Sequence, residues 1–196
     1  TTKNMNALLN RNLFLIKEHV GMFKAANNYD IYDPESQQIV MNCREEKLGF
    51  FTKIFRFTKY KRMTPFNVEI STPTGDKILT VKRGVSIFLS EVEVFDEQDV
   101  LVGKFKQKFF SFGGKFNVLD ANENILCKLK GKWTGWDFKF VNEQTEYSHV
   151  SKKWAGLGKE LFTSADNYVL EIYDNVDEDS PLRVLMLAAV VCIDMV

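Results

Sequence analysis

Two trios of lysines carry the clearest chemical signal in this 196-residue chain. Lys104, Lys106 and Lys108 alternate along one stretch, and Lys128, Lys130 and Lys132 alternate along another. A period of two puts each trio on one face of a strand. A third basic run, Lys53, Arg56, Lys59, Lys61 and Arg62, lies among Phe50, Phe51, Phe55 and Phe57, and Lys82 and Arg83 occur further on. Cations beside aromatic rings suit an anionic lipid headgroup, with the rings at the interface. The competing reading is structural: strand exteriors must be polar, and lysines supply a solvated wall.

The other chemistries are poorly supplied. His19 and His149 are isolated, and no Ser or Cys stands in a nucleophile-elbow pattern. Gly113-Gly114 follows Phe112 in a turn context and does not resemble a phosphate loop. These absences argue against an enzyme. Lys+Arg and Asp+Glu balance at 26 each, so no global field points to nucleic acid, and any charged partner must be met by a local patch. Cys43, Cys127 and Cys192 are odd in number and show no C-x-x-C spacing, which fits a reducing, intracellular compartment. The opening residues show no signal-peptide pattern.

The elements that must position the lysines repeat along the chain. Alternating apolar runs begin at Tyr29, Phe66, Val92, Phe116 and Phe138, with a looser copy at Tyr168. Apolar side chains at i and i+2 mark half-buried antiparallel strands. The turns Asp33-Pro34-Glu35-Ser36, Pro73-Thr74-Gly75-Asp76, Asp96-Glu97-Gln98-Asp99 and Asp120-Ala121-Asn122-Glu123 have suitable residues. Six hairpins predict about twelve strands. A sheet of that size should close, because closure removes exposed edges. A second helix is predicted near residues 151–164, where Lys153, Trp154, Leu157, Leu161 and Phe162 lie at helical spacing. Residues 1–11 read as disordered or as a short helix.

The last stretch, Pro181 to Val196, is apolar on every side. From Leu182 it would span about 22 Å as a helix, short of the roughly 30 Å of a bilayer core. A twelve-stranded barrel is too wide for wall side chains alone to fill. Residues 182–196 are therefore expected as a central helix buried inside it. The fold expected is mainly β: one domain, residues 1–196, a closed twelve-stranded antiparallel barrel around a C-terminal helix.

Specific motifs add a family. His149-Val150-Ser151-Lys152-Lys153-Trp154-Ala155-Gly156-Leu157 and Lys159-Glu160-Leu161-Phe162-Thr163-Ser164-Ala165-Asp166-Asn167-Tyr168 resemble, in type and spacing, a segment of the phospholipid scramblases within the tubby C-terminal-like group. Val184-Leu185-Met186-Leu187-Ala188-Ala189 is similar to that family's closing apolar helix. The resemblance implies a protein at the cytoplasmic face of a membrane that binds anionic phospholipid and is linked to lipid movement between leaflets. Its alternative is a tubby-like phosphoinositide- or partner-binding module without transport. Oligomerisation is left open. The resemblance also implies a calcium loop, with Asp166, Asn167 and Asp174 as the candidate ligands. This chain departs from that loop: Ser164 stands for Asp, Val169 for Gly, and Asn175 closes it instead of a bidentate acid. The matching place for the family's palmitoylated cysteine run, near residues 83–90, has no cysteine.

Overall fold

Apolar alternation becomes strand wherever a turn of the right chemistry follows it. A computed structural model of the chain describes residues 7–18, 28–45, 64–85, 91–107, 116–132, 137–152 and 167–192. A short 3₁₀ helix (Ala7–Asn10) leads into β1 (Leu13–Glu18). There follow β2 (Tyr29–Tyr32), β3 (Ile39–Glu45), β4 (Phe66–Ser71), β5 (Lys77–Arg83) and β6 (Glu91–Asp96). Then come β7 (Leu101–Gln107), β8 (Phe116–Asp120), β9 (Ile125–Lys132), β10 (Asp137–Asn142), β11 (Thr145–Ser151) and β12 (Asn167–Ile172). A helix, α1 (Pro181–Cys192), ends the described chain. The helix predicted near residues 151–164 lies largely outside the described residues.

Each strand pairs antiparallel with its sequence neighbours, and β12 pairs with β1, which closes the barrel. The expectation of six hairpins needs one correction. Among the described residues five of the six expected hairpins form, and the looser copy at Tyr168 contributes β12 alone, whose partner across the seam is β1. Twelve strands about 4.8 Å apart, tilted by about 40°, enclose a barrel roughly 24 Å across between backbones. One layer of inward side chains leaves room for a helix about 10 Å wide. α1 occupies that space, and Leu182 through Cys192 are all buried. Around it lie Phe14, Ile16, Ile31, Val81, Phe140, Leu170 and their neighbours.

Close approach of helix to wall depends on Gly103. A Cβ there would meet the Leu119 carbonyl and stand 3.0 Å from Leu185 Cδ1. α1 packs chiefly against β7, which carries that glycine.

The two ends of the barrel differ. The tight turns lie at the end where α1 begins. Asp96 Oδ1 accepts the backbone N–H groups of Gln98 and Val100, and Asp120 Oδ1 accepts those of Asn122 and Asn124. In both turns the third residue after the aspartate is left-handed: Asp99 (φ 61°) and Glu123 (φ 66°). Gly75 (φ 96°) adopts the left-handed region in the β4–β5 turn.

At the same end Arg183, 3 % exposed, anchors α1. Its guanidinium donates to the carbonyls of Asp177 (3.0 Å), Val176 (2.8 Å) and Arg11 (3.1 Å) and to Asn12 Oδ1 (2.9 Å). The first turn of a helix disfavours a cation, so these oxygens, with the nearby carboxylates of Glu178, Asp174 and Asp177, must hold the charge.

Candidate functional site

The outer wall carries the lysines in rows. Along one row Glu91 of β6 faces Lys106 of β7, Lys106 faces Asn117 of β8, and Asn117 faces Lys128 of β9. In the next row Lys82, Glu93, Lys104 and Leu119 stand opposite one another in turn. Lys130 of β9 faces Lys139 of β10. Directly opposed residues share a face of the sheet, so these charges form one continuous surface.

Within it the two predicted trios behave differently. Lys104 Nζ lies 2.9 Å from Glu123, 3.3 Å from Glu91 and 3.7 Å from Glu93. Lys106 Nζ lies 2.5 Å from the other oxygen of Glu123 and 3.6 Å from Glu91. Three carboxylates thus surround two ammonium groups. The hydrogen bonds to Glu123 raise both lysine pKa values, and the same bonds lower that of Glu123. This part of the wall is compensated.

Lys128 and Lys130 are not. Lys128 is half-buried and Lys130 exposed. Among the described residues neither has an ion-pair partner. The adjacent Lys139 is held by Glu146 at 2.9 Å. Burial pushes the Glu146 carboxyl up, but hydrogen bonds from Lys139 and the Tyr173 hydroxyl outweigh it, and its pKa falls. Beside them His149 Nε2 meets Asp137 Oδ1 at 2.6 Å. Lys132 is placed as a strand residue facing Asp137.

The remaining candidates scatter. Lys53, Arg56, Lys59, Lys61, Arg62 and Lys108 lie outside the described residues. Lys82 is on the wall, its ammonium 5.2 Å from the centre of the Phe95 ring. Arg83 is not on the wall. It is 4 % exposed, continues the inward face of β5, stacks 4.8 Å from the Phe66 ring and donates to the Thr64 carbonyl at 2.7 Å. It lies close enough to the end of α1 to lower the Cys192 pKa slightly against the larger effect of burial, which drives that thiol to about 12. A cation near a helix C-terminus is favourable. By the same alternation Glu18, Glu45 and Gln107 continue the inward faces of β1, β3 and β7 at this end. Sequence reading passed over them, although each stands two residues after the last apolar inward position.

Of the calcium candidates, Asn167 and Asp174 are not brought together. Asp166 lies outside the described residues. Asn167 opens β12 and is 2 % exposed. Asp174 lies beyond the other end of that strand, exposed, accepting from Asn12 Nδ2 at 2.8 Å. Seven residues of extended chain separate them by about 20 Å. The intervening stretch is strand, with Tyr168, Leu170 and Ile172 buried in the core, so it cannot curl around an ion. Among the described residues no cluster of His, Cys, Asp or Glu could hold a metal.

Similar proteins point the same way as the motifs. A human protein named phospholipid scramblase family member 5 is 24 % identical over 181 residues, covering 85 % of this chain and 64 % of its own length. Human phospholipid scramblase 2 is 25 % identical over 187 residues, covering 88 % and 60 %. The Saccharomyces cerevisiae protein named altered inheritance rate of mitochondria protein 25 is 22 % identical over 211 residues, covering 88 % and 64 %. The chain thus spans about three-fifths of the length of these relatives. No solved structure matches it. The family model described as Scramblase matches residues 3–196, and with a match of that extent the chain belongs to the scramblase family.

Proposed function

We propose that this chain binds anionic phospholipid at the cytoplasmic face of a membrane and takes part in bidirectional movement of phospholipid between leaflets. The observation that carries the binding half is the pair Lys128 and Lys130, which have no ion-pair partner among the described residues and lie on the outer wall beside the paired Lys139. A basic residue close to an anionic bilayer contributes about 1 kcal/mol, so a pair gives weak, reversible association. The family of the chain supports lipid as the partner.

The wall itself meets headgroups, not hydrocarbon. Its outward positions include Glu69, Lys82, Glu93, Lys104, Lys106 and Lys130, while most of the apolar side chains of the described strands point inside. A barrel that spans a membrane needs the reverse arrangement, an apolar band outside. Among the described residues no helix is long and apolar enough to cross a bilayer. Movement of a headgroup through hydrocarbon needs a polar path, and with α1 filling the barrel that path would have to arise from an assembly or from exit of the helix. The enclosed helix also favours a second reading, a tubby-like phosphoinositide- or partner-binding regulatory module without transport.

Two assays test the proposal. In flotation with phosphatidylserine-containing vesicles, wild-type protein floats and the variant Lys128→Glu/Lys130→Glu does not; equal flotation removes this face as the lipid site. In proteoliposomes with fluorescent lipid, dithionite bleaches more than the outer-leaflet half if the protein scrambles. Protection of half the label, with binding intact, leaves the regulatory reading.

A further inference from the structure

We propose that Glu123 is a specificity determinant of the lipid-binding wall: it masks Lys106 and so confines binding to strongly anionic bilayers. The inference rests on the reading of Lys128 and Lys130 as the lipid-binding pair.

Glu123 occupies a turn position with φ 66°, a conformation that glycine adopts without strain and a glutamate does not. Gly75 takes the left-handed region in the β4–β5 turn. At position 123 the side chain instead reaches back over the wall, and its two carboxylate oxygens take the ammonium groups of Lys104 and Lys106 at 2.9 and 2.5 Å. Those two lysines need different amounts of help. Lys104 keeps Glu91 and Glu93 as partners whatever Glu123 does. Lys106 has Glu91 besides, at 3.6 Å. Loss of the Glu123 charge would therefore release Lys106 most.

Its release matters because of where it stands. The register places Lys106, Asn117 and Lys128 opposite one another on three successive strands. Strands about 4.8 Å apart put Lys106 and Lys128 about 10 Å from one another, with an uncharged residue between. That is about one Debye length at an ionic strength of about 0.1 M, so the freed ammonium adds to the same field. The unmasked surface is a basic strip, Lys106–Lys128–Lys130, complementary to a plane of anionic headgroups. On a bilayer of low charge density Lys106 stays with Glu123. On a densely charged one, lipid phosphates outnumber the single carboxylate and replace it as partner.

The test is co-sedimentation with phosphatidylcholine vesicles containing a graded fraction of phosphatidylserine, comparing wild type, Glu123→Gln, Glu123→Gln/Lys106→Gln and Lys128→Glu/Lys130→Glu. Thermal melts confirm that each is folded. One added basic group is worth about fivefold in partition. Glu123→Gln should bind anionic vesicles about fivefold tighter and reach half-binding at a lower phosphatidylserine fraction. The gain should vanish in the Lys106→Gln background and at high salt, with no change on pure phosphatidylcholine. If Glu123→Gln binds as wild type while Lys128→Glu/Lys130→Glu abolishes binding, the mask is refuted and the lipid site stands. If neither changes binding, both fall. A gain on neutral vesicles, or binding erased by equimolar soluble inositol phosphate, overturns the assignment of the strip to a charged bilayer.

Discussion

Arg183 offers the most direct probe of how the central helix is held. Replacing it with methionine keeps the length of the side chain and removes the charge. Four oxygens then lose the guanidinium as a donor: the carbonyls of Asp177, Val176 and Arg11, and Asn12 Oδ1; the Asp177 carbonyl keeps the Ser180 N–H. Removal of one partner from a buried, hydrogen-bonded charge costs about 3–5 kcal/mol, mostly through the polar groups left behind. Two terms act the other way. The dehydration of the guanidinium no longer has to be offset, and the unfavourable contact of a cation with a helix N-terminus, about 0.3–1 kcal/mol, disappears. A net loss of about 3 kcal/mol follows. Urea unfolding followed by tryptophan fluorescence should read it as a midpoint lowered by about 1–1.5 M, for an m value of about 2–3 kcal/mol/M. Arg183→Lys should fall between the two, because three donors on one nitrogen cannot span oxygens arranged around a planar fork. A methionine variant within about 1 kcal/mol of wild type, or a lysine variant equal to it, would show that these hydrogen bonds do not anchor the helix.

Further outcomes follow from the same geometry. Cys43, Cys127 and Cys192 are all buried, and burial drives the Cys127 and Cys192 thiols to about 12. A disulfide reagent at pH 8 should therefore find no reactive thiol in the native protein and three after unfolding; fast labelling of Cys192 in the native state would mean that the helix leaves the barrel. Gly103→Ala should lower stability by about 1–3 kcal/mol, because the added methyl meets the Leu119 carbonyl and Leu185; a neutral result by calorimetry would mean that the β7–helix contact relaxes freely. The carboxyls of Glu123, Glu146, Asp99 and Asp120 titrate below their ordinary values of 4.5 and 3.8. Their contribution is thus present above about pH 4.5 and is lost as pH falls through the lowered values. Lys104, Lys106 and Lys139 titrate above 10.5, so their contribution holds below that value and fades as pH rises through the raised values. Melting temperature should be flat in between, and an unchanged acid limb in Glu123→Gln/Glu146→Gln would disprove the assignment.

Much of the fold was legible because its determinants are local. Alternation at Phe66-Asn67-Val68-Glu69-Ile70 and turn chemistry at Asp96 and Asp120 depend on neighbours within a few residues, and they predicted strands and turns where they lie. The burial of α1 was also readable, since a helix apolar on all sides and too short for a bilayer needs an enclosing wall. Periodicity blurs where both faces are covered. Leu15 and Val169, opposed on β1 and β12, are buried although they lie outside the core cluster, so Leu13-Phe14-Leu15-Ile16 reads as a continuous apolar run.

The amino-acid sequence by itself determined which residues could be strand, turn or helix, and which side chains carry charge. Only the tertiary structure decided which charges are free. Lys104, Lys106, Lys128 and Lys130 look alike along the chain. The turn at Asp120 swings Glu123 onto the first two, while the second two have no ion-pair partner among the described residues. Likewise the seam between β1 and β12 joins residues 150 or more positions apart, and the guanidinium of Arg183 is satisfied by oxygens from both ends of the chain. Coulomb and hydrogen-bond energies depend on distance in space, and a closed barrel brings together residues that spacing along the chain keeps apart.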